Sequence, residues 1–452
     1  MDDADAAIFK AYDIRGIYPV QINAEFAYLL GRAFVQFLNC KNVAVGRDMR
    51  LSSEALFESL CNGIIDSGAD VIDLGLCSTD MLYFAVEKYG YDSGIMVTAS
   101  HNSKEWNGFK LTREHAIPIG DNNGLMQIRE IIAKKGFDGS NKKGGVLKKD
   151  VMDEFAKFCI DFVDVSKIKP LKVVMDASNG MAGIIAPMVF SHTKIKIVPM
   201  YFELDGSFPN HQSNPLIEEN RWGIMQRVLK ENADLGIAWD GDADRCFFID
   251  DAGRFVPGDF ITGLLARETL KKLPGAKIFY DLRASRFVKD IIEKNSGIPR
   301  MCRVGHAFFK QYMREENAEF AGEVSGHYYY HSGNLFADNG MIPALQMLQL
   351  ISEEGRKLSE ILKETDNYHI SGEINLAVKD KDATLGKIES YHKDAKNIYH
   401  IDGLSVEYHD WWFNLRKSNT EQLIRLNLEA DTEEKMLGMK EILLKEIKEA
   451  DS

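Results

Sequence analysis

The chain has 452 residues, which exceeds one ordinary hydrophobic core and predicts roughly three or four domains. Hydrophobic residues make up 45% and charged residues 27%, a balance typical of soluble globular proteins. Because 55 Lys and Arg face 68 Asp and Glu, the formal net charge is −13, which disfavours nucleic acid and anionic membranes as main partners but leaves an anionic small molecule open.

The cysteines and the N-terminus indicate a compartment. Six cysteines are scattered without a Cys-x-x-Cys pair, which favours reduced thiols over disulfides or a zinc site. The first residues, Met1 to Asp5, are acidic, whereas a signal peptide begins with positive charge. No apolar run is long enough to span a bilayer. We therefore expect a cytoplasmic protein with neither a membrane nor a nucleic acid as partner.

Residues 8–16 combine an extended apolar pattern with the charged side chains of Lys10 and Arg15. One interpretation is an ordinary edge strand that ends in a turn at Gly16. The other is an arm that brings Arg15 toward an anion. Both interpretations stay open at this point.

Strand and helix patterns then alternate along the chain. The strands are predicted at residues 43–48, 70–76 and 93–97, and the helices at 53–68, with Ser52 or Ser53 as its cap, and at 81–89. Strands separated by helices of this length indicate βαβ units and a sheet that contains parallel strands.

A serine follows the third of these strands, in the serine loop (residues 98–102, Thr-Ala-Ser-His-Asn). Ligands of α/β proteins bind outside the carboxyl ends of the strands. We therefore expect the Ser100 hydroxyl to be exposed there, with backbone N–H groups and a helix end that can receive an anion. The alternative is that Ser100 only caps a helix, as serine commonly does.

Residues 136–149 are rich in Gly, Lys, Ser and Asn and are predicted to form a linker. The spacing of Gly139 and Gly145 weakly resembles a nucleotide-binding phosphate loop. No Lys-Ser or Lys-Thr pair follows the second glycine, so the linker interpretation is favoured.

Two further copies of the strand–helix–strand layout follow the linker, and together with the first they suggest three related domains. The second has strands at 173–176, 195–198 and 234–239, and the third has strands at 278–280, near Met301 and at 319–321, with helices at 287–294 and 308–315. From about Tyr368 the pattern changes to alternating hydrophobic residues and a final helix at 433–449, which indicates a smaller α+β domain. The predicted domains are residues 1–147, 148–255, 256–366 and 367–452.

The strongest local signal is the metal loop (residues 240–245, Asp-Gly-Asp-Ala-Asp-Arg). Three carboxylates at alternate positions can converge on one hard cation. A calcium EF-hand is excluded, because Arg245 and Asp251 stand where that loop needs glycine and glutamate, and no helix precedes Asp240. A solvated acidic turn is the alternative. We favour Mg²⁺, with an oxygen of a phosphate or a phosphorylated side chain among its ligands.

Two polar stretches further along suit a sugar and an anion. The sugar loop (residues 322–327, Gly-Glu-Val-Ser-Gly-His) places a carboxylate beside a hydroxyl, which suits vicinal sugar hydroxyls but is also a common polar turn. The clamp loop (residues 416–420, Arg-Lys-Ser-Asn-Thr), with Arg425 beyond it, offers guanidinium groups and neutral donors for phosphate. Its alternative is a solvated basic turn. His306 could act as an acid or base near neutral pH.

Taken together and in this order, the serine, metal, sugar and clamp loops resemble the α-D-phosphohexomutase family, and within it the bacterial phosphomannomutase/phosphoglucomutase branch. The resemblance covers essentially the whole chain. It implies an α/β fold of three related mixed-sheet α/β domains plus a smaller C-terminal α+β domain around a central cleft. It also implies hexose phosphate as the substrate, Mg²⁺ as the cofactor, hexose 1,6-bisphosphate as activator and intermediate, and a monomer or homodimer.

The resemblance also implies the roles of individual residues. Ser100 would be phosphorylated and would hold Mg²⁺ together with Asp240, Asp242 and Asp244. The catalytic residues would be Ser100, His101, Lys110, Arg15, Arg245 and His306, and the substrate-binding residues Tyr12, Arg283, Glu323, Ser325, His327, Arg416, Ser418, Asn419, Thr420 and Arg425. Arg283 stands where the bacterial pattern has a lysine, and a proton-transfer role is in doubt there because arginine does not deprotonate.

The reaction that the resemblance implies is transfer of a phosphoryl group from phosphoserine 100 to a free hydroxyl of a hexose phosphate. The other phosphate of the resulting bisphosphate then returns to Ser100. Phosphoglucosamine mutase is the alternative within the family, and Val324 and residues 106–110 favour the mannose/glucose enzymes over it. A serine hydrolase is disfavoured because no Gly-x-Ser-x-Gly occurs. A non-catalytic sugar-phosphate sensor is disfavoured by the intact Ser100 and aspartates.

Overall fold

The computed structural model describes residues 7–137, 142–418 and 422–451, which form two compact units. Unit 1 takes the chain up to Val256 together with Met313–Phe320 and Ser325–Ser359. Unit 2 takes Pro257–Tyr312, Ala321–Val324 and the chain from Glu360. Among the described residues, no helix is both long enough and apolar enough to cross a membrane.

The strands are, in chain order, β1 (Ile14–Ile17), β2 (Asn42–Arg47), β3 (Asp70–Leu76), β4 (Ser93–Val97), β5 (Trp106–Arg113), β6 (Val146–Lys148), β7 (Lys172–Asp176), β8 (Lys196–Met200), β9 (Leu235–Trp239), β10 (Cys246–Ile249), β11 (Phe255–Val256), β12 (Lys277–Asp281), β13 (Ile298–Cys302), β14 (Phe320–Gly322), β15 (Tyr328–Ser332), β16 (Leu335–Asp338), β17 (His369–Ile370), β18 (Ile374–Ala377), β19 (Asn397–Tyr399), β20 (Leu404–Glu407), β21 (Trp411–Lys417) and β22 (Leu423–Ala430).

The α-helices are α1 (Ala24–Leu38), α2 (Ser53–Asp66), α3 (Thr79–Tyr89), α4 (Met126–Lys134), α5 (Met152–Ile160), α6 (Ala182–Phe190), α7 (Glu218–Glu231), α8 (Gly258–Lys272), α9 (Arg286–Lys294), α10 (His306–Glu316), α11 (Ile342–Glu354), α12 (Leu358–Ile361), α13 (Lys381–Tyr391) and α14 (Glu433–Ala450).

Two mixed sheets organise unit 1. The first has the order β1-β5-β4-β2-β3-β6, in which β2 pairs in parallel with β3 and β4, and β5 returns antiparallel to β4. The second has the order β11-β10-β9-β7-β8, with β7 parallel to β8 and β9 and with β10 antiparallel to β9. The hairpin of β15 and β16 also belongs to this unit. The serine and metal loops follow β4 and β9, each a strand with every residue buried.

In unit 2, β12 pairs in parallel with β13 and has β14 as its other neighbour. The C-terminal sheet has the order β17-β22-β21-β20-β19, and β18 pairs antiparallel with β22. Helix α14 packs its apolar side, including Leu443 and Ile447, into the same core as Leu415 and Leu426 of that sheet. These sheets agree with the predicted fold class, three mixed-sheet α/β domains and a smaller C-terminal α+β domain.

Local sequence explains where these elements begin and which face they bury. Helix α3 begins after Ser78, whose hydroxyl accepts a hydrogen bond from the Met81 N–H. Helix α9 buries Phe287, Val288 and Ile291 on one face, as the helical period requires.

Four local expectations need correction. Ser52 precedes α2 but forms no side-chain cap; it accepts from Asn107 Nδ2 instead. Gly16 lies within β1, where it pairs with Asn107, so the predicted turn is displaced. The predicted linker contains β6, because Val146 and Leu147 extend the first sheet in parallel with β3. Residues 138–141, which include Gly139, lie outside the described residues.

The fourth correction concerns the serine loop. No helix follows it; the next element is β5, which begins at Trp106, so neither the capping role nor the predicted helix end applies to Ser100. Its side chain is also buried, with a residue exposure of 3%, rather than exposed. Both differences arise because the chain turns back directly to pair β5 with β4.

Candidate active site

Ser100 lies in a tight turn between β4 and β5 and faces the metal loop. Its backbone has φ of 51°, a left-handed conformation that is unusual for a residue with a side chain and typical of constrained sites. Its N–H donates to Thr98 Oγ1 at 2.9 Å. Its hydroxyl donates to Asp240 Oδ2 at 2.7 Å. A nucleophile is therefore held against the first predicted metal ligand.

The three aspartates of the metal loop converge as the sequence predicts. Each offers a carboxylate oxygen, and these oxygens lie within 4.8 Å of one another. Asp240, Asp242 and Asp244 are at most 1% exposed. Asp242 Oδ1 is buried and has no hydrogen-bond partner among the described residues. A buried carboxylate oxygen without a partner is unfavourable unless a cation binds it, so this donor set fits a hard divalent ion.

Two cationic side chains contact the same carboxylates. Lys110 on β5 donates to Asp242 Oδ2 at 2.7 Å and to Asp244 Oδ2 at 2.5 Å. Burial alone would lower the pKa of Lys110, but the two aspartates raise it well above its ordinary value. Arg245 Nε donates to Asp240 Oδ2 at 2.8 Å, and its Nη2 lies 3.5 Å from Ser100 Oγ. Lys110 thus offsets the charge of two carboxylates, and Arg245 brings positive charge to the serine hydroxyl.

His101 and Arg15 complete the surroundings of the serine. His101 Nδ1 lies 3.2 Å from Ser100 Oγ. Burial and the guanidinium of Arg245 hold the pKa of His101 well below its usual range, so the imidazole is neutral near pH 7. Arg15 donates to Asp13 at 2.8 Å and to Asn102 Oδ1 at 2.9 Å. The guanidinium of Arg15 therefore contacts the serine loop.

The end of the sugar loop lies beside the metal loop in unit 1. The Cys246 N–H donates to the Gly326 carbonyl at 3.0 Å. His327 Nε2 is 3.6 Å from Asp244 Oδ1, and His327 Nδ1 is 3.3 Å from Ser325 Oγ. The structure thus brings His327 to the third aspartate and Ser325 to His327.

In unit 2, one buried carboxylate binds both Arg283, the arginine that stands where the bacterial pattern has a lysine, and the backbone of the sugar loop. Asp281, at the end of β12, accepts from Arg283 Nη2 at 2.8 Å and Nε at 3.2 Å. Its Oδ2 also accepts from the Val324 N–H at 2.9 Å. Burial would lower the pKa of Arg283, but Asp281 raises it. Arg283 is therefore a permanent cation next to the sugar loop.

The arginines of the clamp lie on adjacent strands of the C-terminal sheet. Arg416 on β21 and Arg425 on β22 are paired directly across the ladder. Glu373, which precedes β18, lies 3.5 Å from Arg416 Nη2 and 3.5 Å from Arg425 Nη1. Arg416 Nε is buried without a hydrogen-bond partner among the described residues. This cluster of guanidinium groups suits an anion.

The remaining predicted residues are placed as follows. Burial would lower the pKa of Arg15, but Asp13, Asp242 and, to a smaller extent, the nearby Tyr12 raise it above its ordinary value. Glu323 is 2% exposed, and His306 is the first residue of α10 and 8% exposed. The Ser418 N–H donates to the Leu423 carbonyl and holds the base of the clamp loop. Asn419 and Thr420 lie outside the described residues.

Four profiles of the phosphoglucomutase/phosphomannomutase family match successive parts of the chain. The alpha/beta/alpha domains I, II and III match residues 6–138, 150–253 and 257–368, and the C-terminal domain matches residues 373–446. The chain belongs to this family.

Similar proteins agree with this assignment over nearly the full length. The chain is 41% identical over 423 residues to "Phosphohexose mutases" of Xanthomonas campestris pv. campestris (strain B100), covering 93% of this chain and 94% of the other. It is 40% identical to a "Phosphomannomutase" of Vibrio cholerae, covering 98% of each. A solved phosphoglucomutase/phosphomannomutase family protein from Burkholderia thailandensis superposes with a TM-score of 0.90 at 30% identity, covering 100% and 98%. The predicted class, a phosphohexomutase and therefore an isomerase, is confirmed.

Sequence reasoning missed the side chains that hold the serine loop of this phosphohexomutase in place. The buried guanidinium of Arg50 donates to four backbone carbonyls of the turn, those of Ser100, Asn102, Ser103 and Trp106, at 2.7–3.0 Å. Asp48 accepts from Arg50 Nε, from Ser53 and from Thr98. The signal available in the sequence was an Asp-x-Arg directly after a buried strand, which is too short a pattern to be specific.

Thr79 was also missed. Its hydroxyl donates to Asp242 Oδ2 at 2.5 Å and accepts from Lys110 Nζ at 3.3 Å. It is the first residue of α3, on a different βα unit from any of the four predicted loops. A threonine at the start of a helix is common for structural reasons alone, so nothing in the sequence marks Thr79 as a functional residue.

Proposed function

We propose that this phosphohexomutase transfers a phosphoryl group reversibly between the 1- and 6-positions of mannose or glucose phosphate, through phosphoserine 100 and a hexose 1,6-bisphosphate. The observation that carries the proposal is the position of Ser100 Oγ, 2.7 Å from Asp240 Oδ2 and 3.5 Å from Arg245 Nη2. A serine hydroxyl beside a carboxylate triad and a guanidinium suits phosphoryl transfer, in which positioning and charge stabilisation supply most of the catalysis.

The carboxylates of Asp240, Asp242 and Asp244 would hold Mg²⁺, with a phosphate oxygen on Ser100 as a further ligand. Bound there, the ion would supply positive charge against the oxygens of the transferred group. Arg245 would add positive charge to the same group. Lys110, charged at neutral pH, would be released from Asp242 or Asp244 to bind the same oxygens. Arg15 and Tyr12 would contact the incoming phosphate.

A general base must be unprotonated at the working pH in order to accept a proton. The depressed pKa of His101 and its 3.2 Å distance from Ser100 Oγ support a role in orienting that hydroxyl. His306 and His327 are the candidates for the base toward the sugar hydroxyl. Arg283 is excluded from that role, because the Asp281 carboxylate raises its already high pKa. It would bind the substrate as a cation.

Other residues would hold the parts of the substrate that do not react. The Glu323 carboxylate would accept a hydrogen bond from a sugar hydroxyl, and the Ser325 hydroxyl would donate one to a sugar oxygen. Arg416, Ser418, Asn419, Thr420 and Arg425 would hold the second phosphate. A fixed clamp for one phosphate lets the sugar bind in either of two orientations, which a transfer between positions 1 and 6 requires.

The substrate, the compartment and the oligomeric state belong to the same proposal. We expect a small hexose phosphate as the only substrate class, a cytoplasmic location and a monomer or homodimer. Phosphoglucosamine mutase remains the second candidate, since an amino group at position 2 leaves both phosphates in place. A sugar-phosphate sensor without turnover is the third.

The test is a coupled mutase assay with Mg²⁺ and trace hexose 1,6-bisphosphate on glucose 1-phosphate, mannose 1-phosphate and glucosamine 1-phosphate. We expect turnover of the first two and loss of at least about 10⁴-fold in Ser100→Ala, because the nucleophile is removed. Activity on glucosamine 1-phosphate alone would keep the mechanism and change the substrate. Substantial mutase activity in Ser100→Ala would disprove the phosphoserine route.

A further inference from the structure

Glu373 occupies the centre of the arginines proposed to bind the second phosphate. Its carboxylate lies 3.3 Å from Arg283 Nη1, 3.5 Å from Arg416 Nη2 and 3.5 Å from Arg425 Nη1. Nothing in the sequence predicted this residue as part of the site. One acidic side chain thus stands where three guanidinium groups meet.

The geometry of these contacts differs from that of a structural ion pair. A charge-assisted hydrogen bond between nitrogen and carboxylate is 2.7–2.9 Å long, and the Arg283–Asp281 pair reaches 2.8 Å. All three contacts of Glu373 are longer. Its side chain is 29% exposed, whereas that of Asp281 is 0% exposed. Asp281 therefore makes close contacts in the interior, whereas Glu373 makes only longer contacts at the solvent side of the cluster.

Carboxylates act on the three arginines of the cluster from different distances. Asp281 and Glu373 form ion pairs with Arg283, Arg416 and Arg425, and Glu323 adds to the field at Arg283. Burial and then the neighbouring Arg283 lower the pKa of Arg416, while Asp402 and Glu373 oppose that shift. Arg416 Nε lacks a hydrogen-bond partner among the described residues. A phosphate monoester dianion would add both negative charge and acceptors that the single carboxylate does not provide.

We propose that Glu373 is a stand-in anion: its carboxylate holds the three arginines together in the free enzyme and is displaced by the phosphate of the substrate. The inference rests on the proposed clamp and extends it. Because phosphate must replace a carboxylate, its net affinity is lower than the arginines alone would give. Release of the phosphate is correspondingly faster, since the carboxylate returns to the same guanidinium groups. A mutase that releases and rebinds a bisphosphate benefits from a clamp that is strong but exchangeable.

The arginine at position 283 has a part in this exchange. Its guanidinium binds Asp281 through Nε and Nη2 and still presents Nη1 to Glu373. A lysine has one ammonium group on a flexible stem and cannot make the bidentate pair and the third contact in one fixed geometry. The replacement noted in the sequence therefore couples the base of the sugar loop to the clamp.

The experiment measures binding of inorganic phosphate by calorimetry, and of glucose 1-phosphate by steady-state kinetics, in the full-length wild type and Glu373→Gln. Glutamine keeps the shape and removes the competing charge. We expect phosphate to bind about tenfold more tightly, with a lower KM and a lower kcat because product release slows. Glu364→Gln is the matched control: Glu364 pairs with Arg267 in the same unit and outside the cluster, and phosphate affinity is expected to stay unchanged.

The outcomes separate this inference from the clamp itself. If Arg416→Gln leaves phosphate affinity unchanged, the clamp is wrong and the inference falls with it. If Arg416→Gln weakens phosphate binding but Glu373→Gln also weakens it or does not change it, the clamp stands and Glu373 only positions the arginines. Glu373→Asp supplies an independent variant, because it keeps the charge on a shorter side chain; an affinity between those of wild type and Glu373→Gln supports displacement, and one equal to or below wild type contradicts it.

Discussion

Arg50 Nη2 donates a 2.7 Å hydrogen bond to the carbonyl oxygen of Ser100, and the same guanidinium binds three more carbonyls of the turn. The nucleophile is thus positioned from behind by a buried arginine that never contacts its hydroxyl in the structure. Burial of that arginine is compensated by Asp48. The planar guanidinium of Arg50 thus holds the turn in which Ser100 has its left-handed backbone conformation.

Arg50→Lys should therefore lower kcat by about 100-fold with little change in KM, because one ammonium group cannot bind four carbonyls and small displacements of a reacting group have effects of that size. The measurement is steady-state kinetics together with the unfolding midpoint. Arg47→Lys is the control, since Arg47 ends β2 shortly before Arg50 but binds Glu54 and Asp73 instead of the serine loop. Equal losses of kcat in both variants would show that Arg50 acts only through general stability.

Gly241 gives a second prediction, because the metal loop backbone touches the serine loop there. A Cβ at this position would lie 2.6 Å from the Ser100 carbonyl oxygen and 2.9 Å from Ser213 Oγ. The Ser100 oxygen belongs to the backbone and cannot turn away, so Gly241→Ala should push the two loops apart. We expect a loss of about 1–3 kcal/mol in the free energy of unfolding. We also expect kcat to fall, which it should not do in the control variant Gly386→Ala.

Gly386→Ala is the matched control for Gly241→Ala. Gly386 lies in α13, and a Cβ there meets nothing within 4 Å. Alanine should stabilise this helix by about 0.5–1 kcal/mol and leave kcat unchanged. If Gly241→Ala retains wild-type kcat, close contact between the two loops is not needed for turnover.

The metal loop gives a third prediction. Asp242 Oδ1 is buried without a hydrogen-bond partner among the described residues, and three carboxylates share the site with Lys110 and Arg245. Removing divalent cations with a chelator should abolish turnover, and added Mg²⁺ should restore it and raise the unfolding midpoint. In Asp242→Asn the rise of the midpoint with Mg²⁺ should largely disappear. An equal Mg²⁺-dependent rise in that variant would place the ion elsewhere.

The sequence predicted those elements whose signal is local. Strands β3 and β4 were predicted with the bounds that the structure has, because apolar runs flanked by polar turns leave little freedom. The convergence of Asp240, Asp242 and Asp244 was predictable for the same reason: alternate residues after one strand stay neighbours in space. Short motifs with a fixed spacing carry their geometry with them.

What the sequence could not predict depends on contacts between distant segments. Arg50 and Ser100 are fifty positions apart, and Thr79 and Asp242 are more than three times as far apart. Glu373 precedes β18 and meets Arg416 of β21 because both strands pair with β22. It also meets Arg283, which lies 90 positions earlier in the chain. The burial of Ser100 likewise follows from the pairing of β5 with β4. The polar residues of the intervening turn gave no sign of that burial, because polar turns are usually exposed.

The last prediction concerns pH and a buried carboxyl group of unit 2 outside the proposed site. Glu429 on β22 accepts from the Arg286 N–H at 3.1 Å and from Trp412 Nε1 at 3.1 Å. Burial raises the pKa of Glu429 to about 7, with Asp259 adding to the shift and the hydrogen bonds of Ser285, Trp412 and Arg286 opposing it. The folded state therefore holds this proton at pH values where the unfolded chain has lost it.

The direction in which stability changes with pH follows from proton linkage. The stabilising contribution of protonated Glu429 is fully present below the ordinary glutamate pKa and is lost as the pH rises through about 7. Between pH 5 and pH 8 the unfolding midpoint of the wild type should therefore fall more than that of Glu429→Gln, whose amide carries no titrating proton. Glu441→Gln, an exposed change on α14, should behave as the wild type does. If Glu429→Gln and the wild type lose the same amount of stability over this range, Glu429 is ionised in the folded protein throughout it.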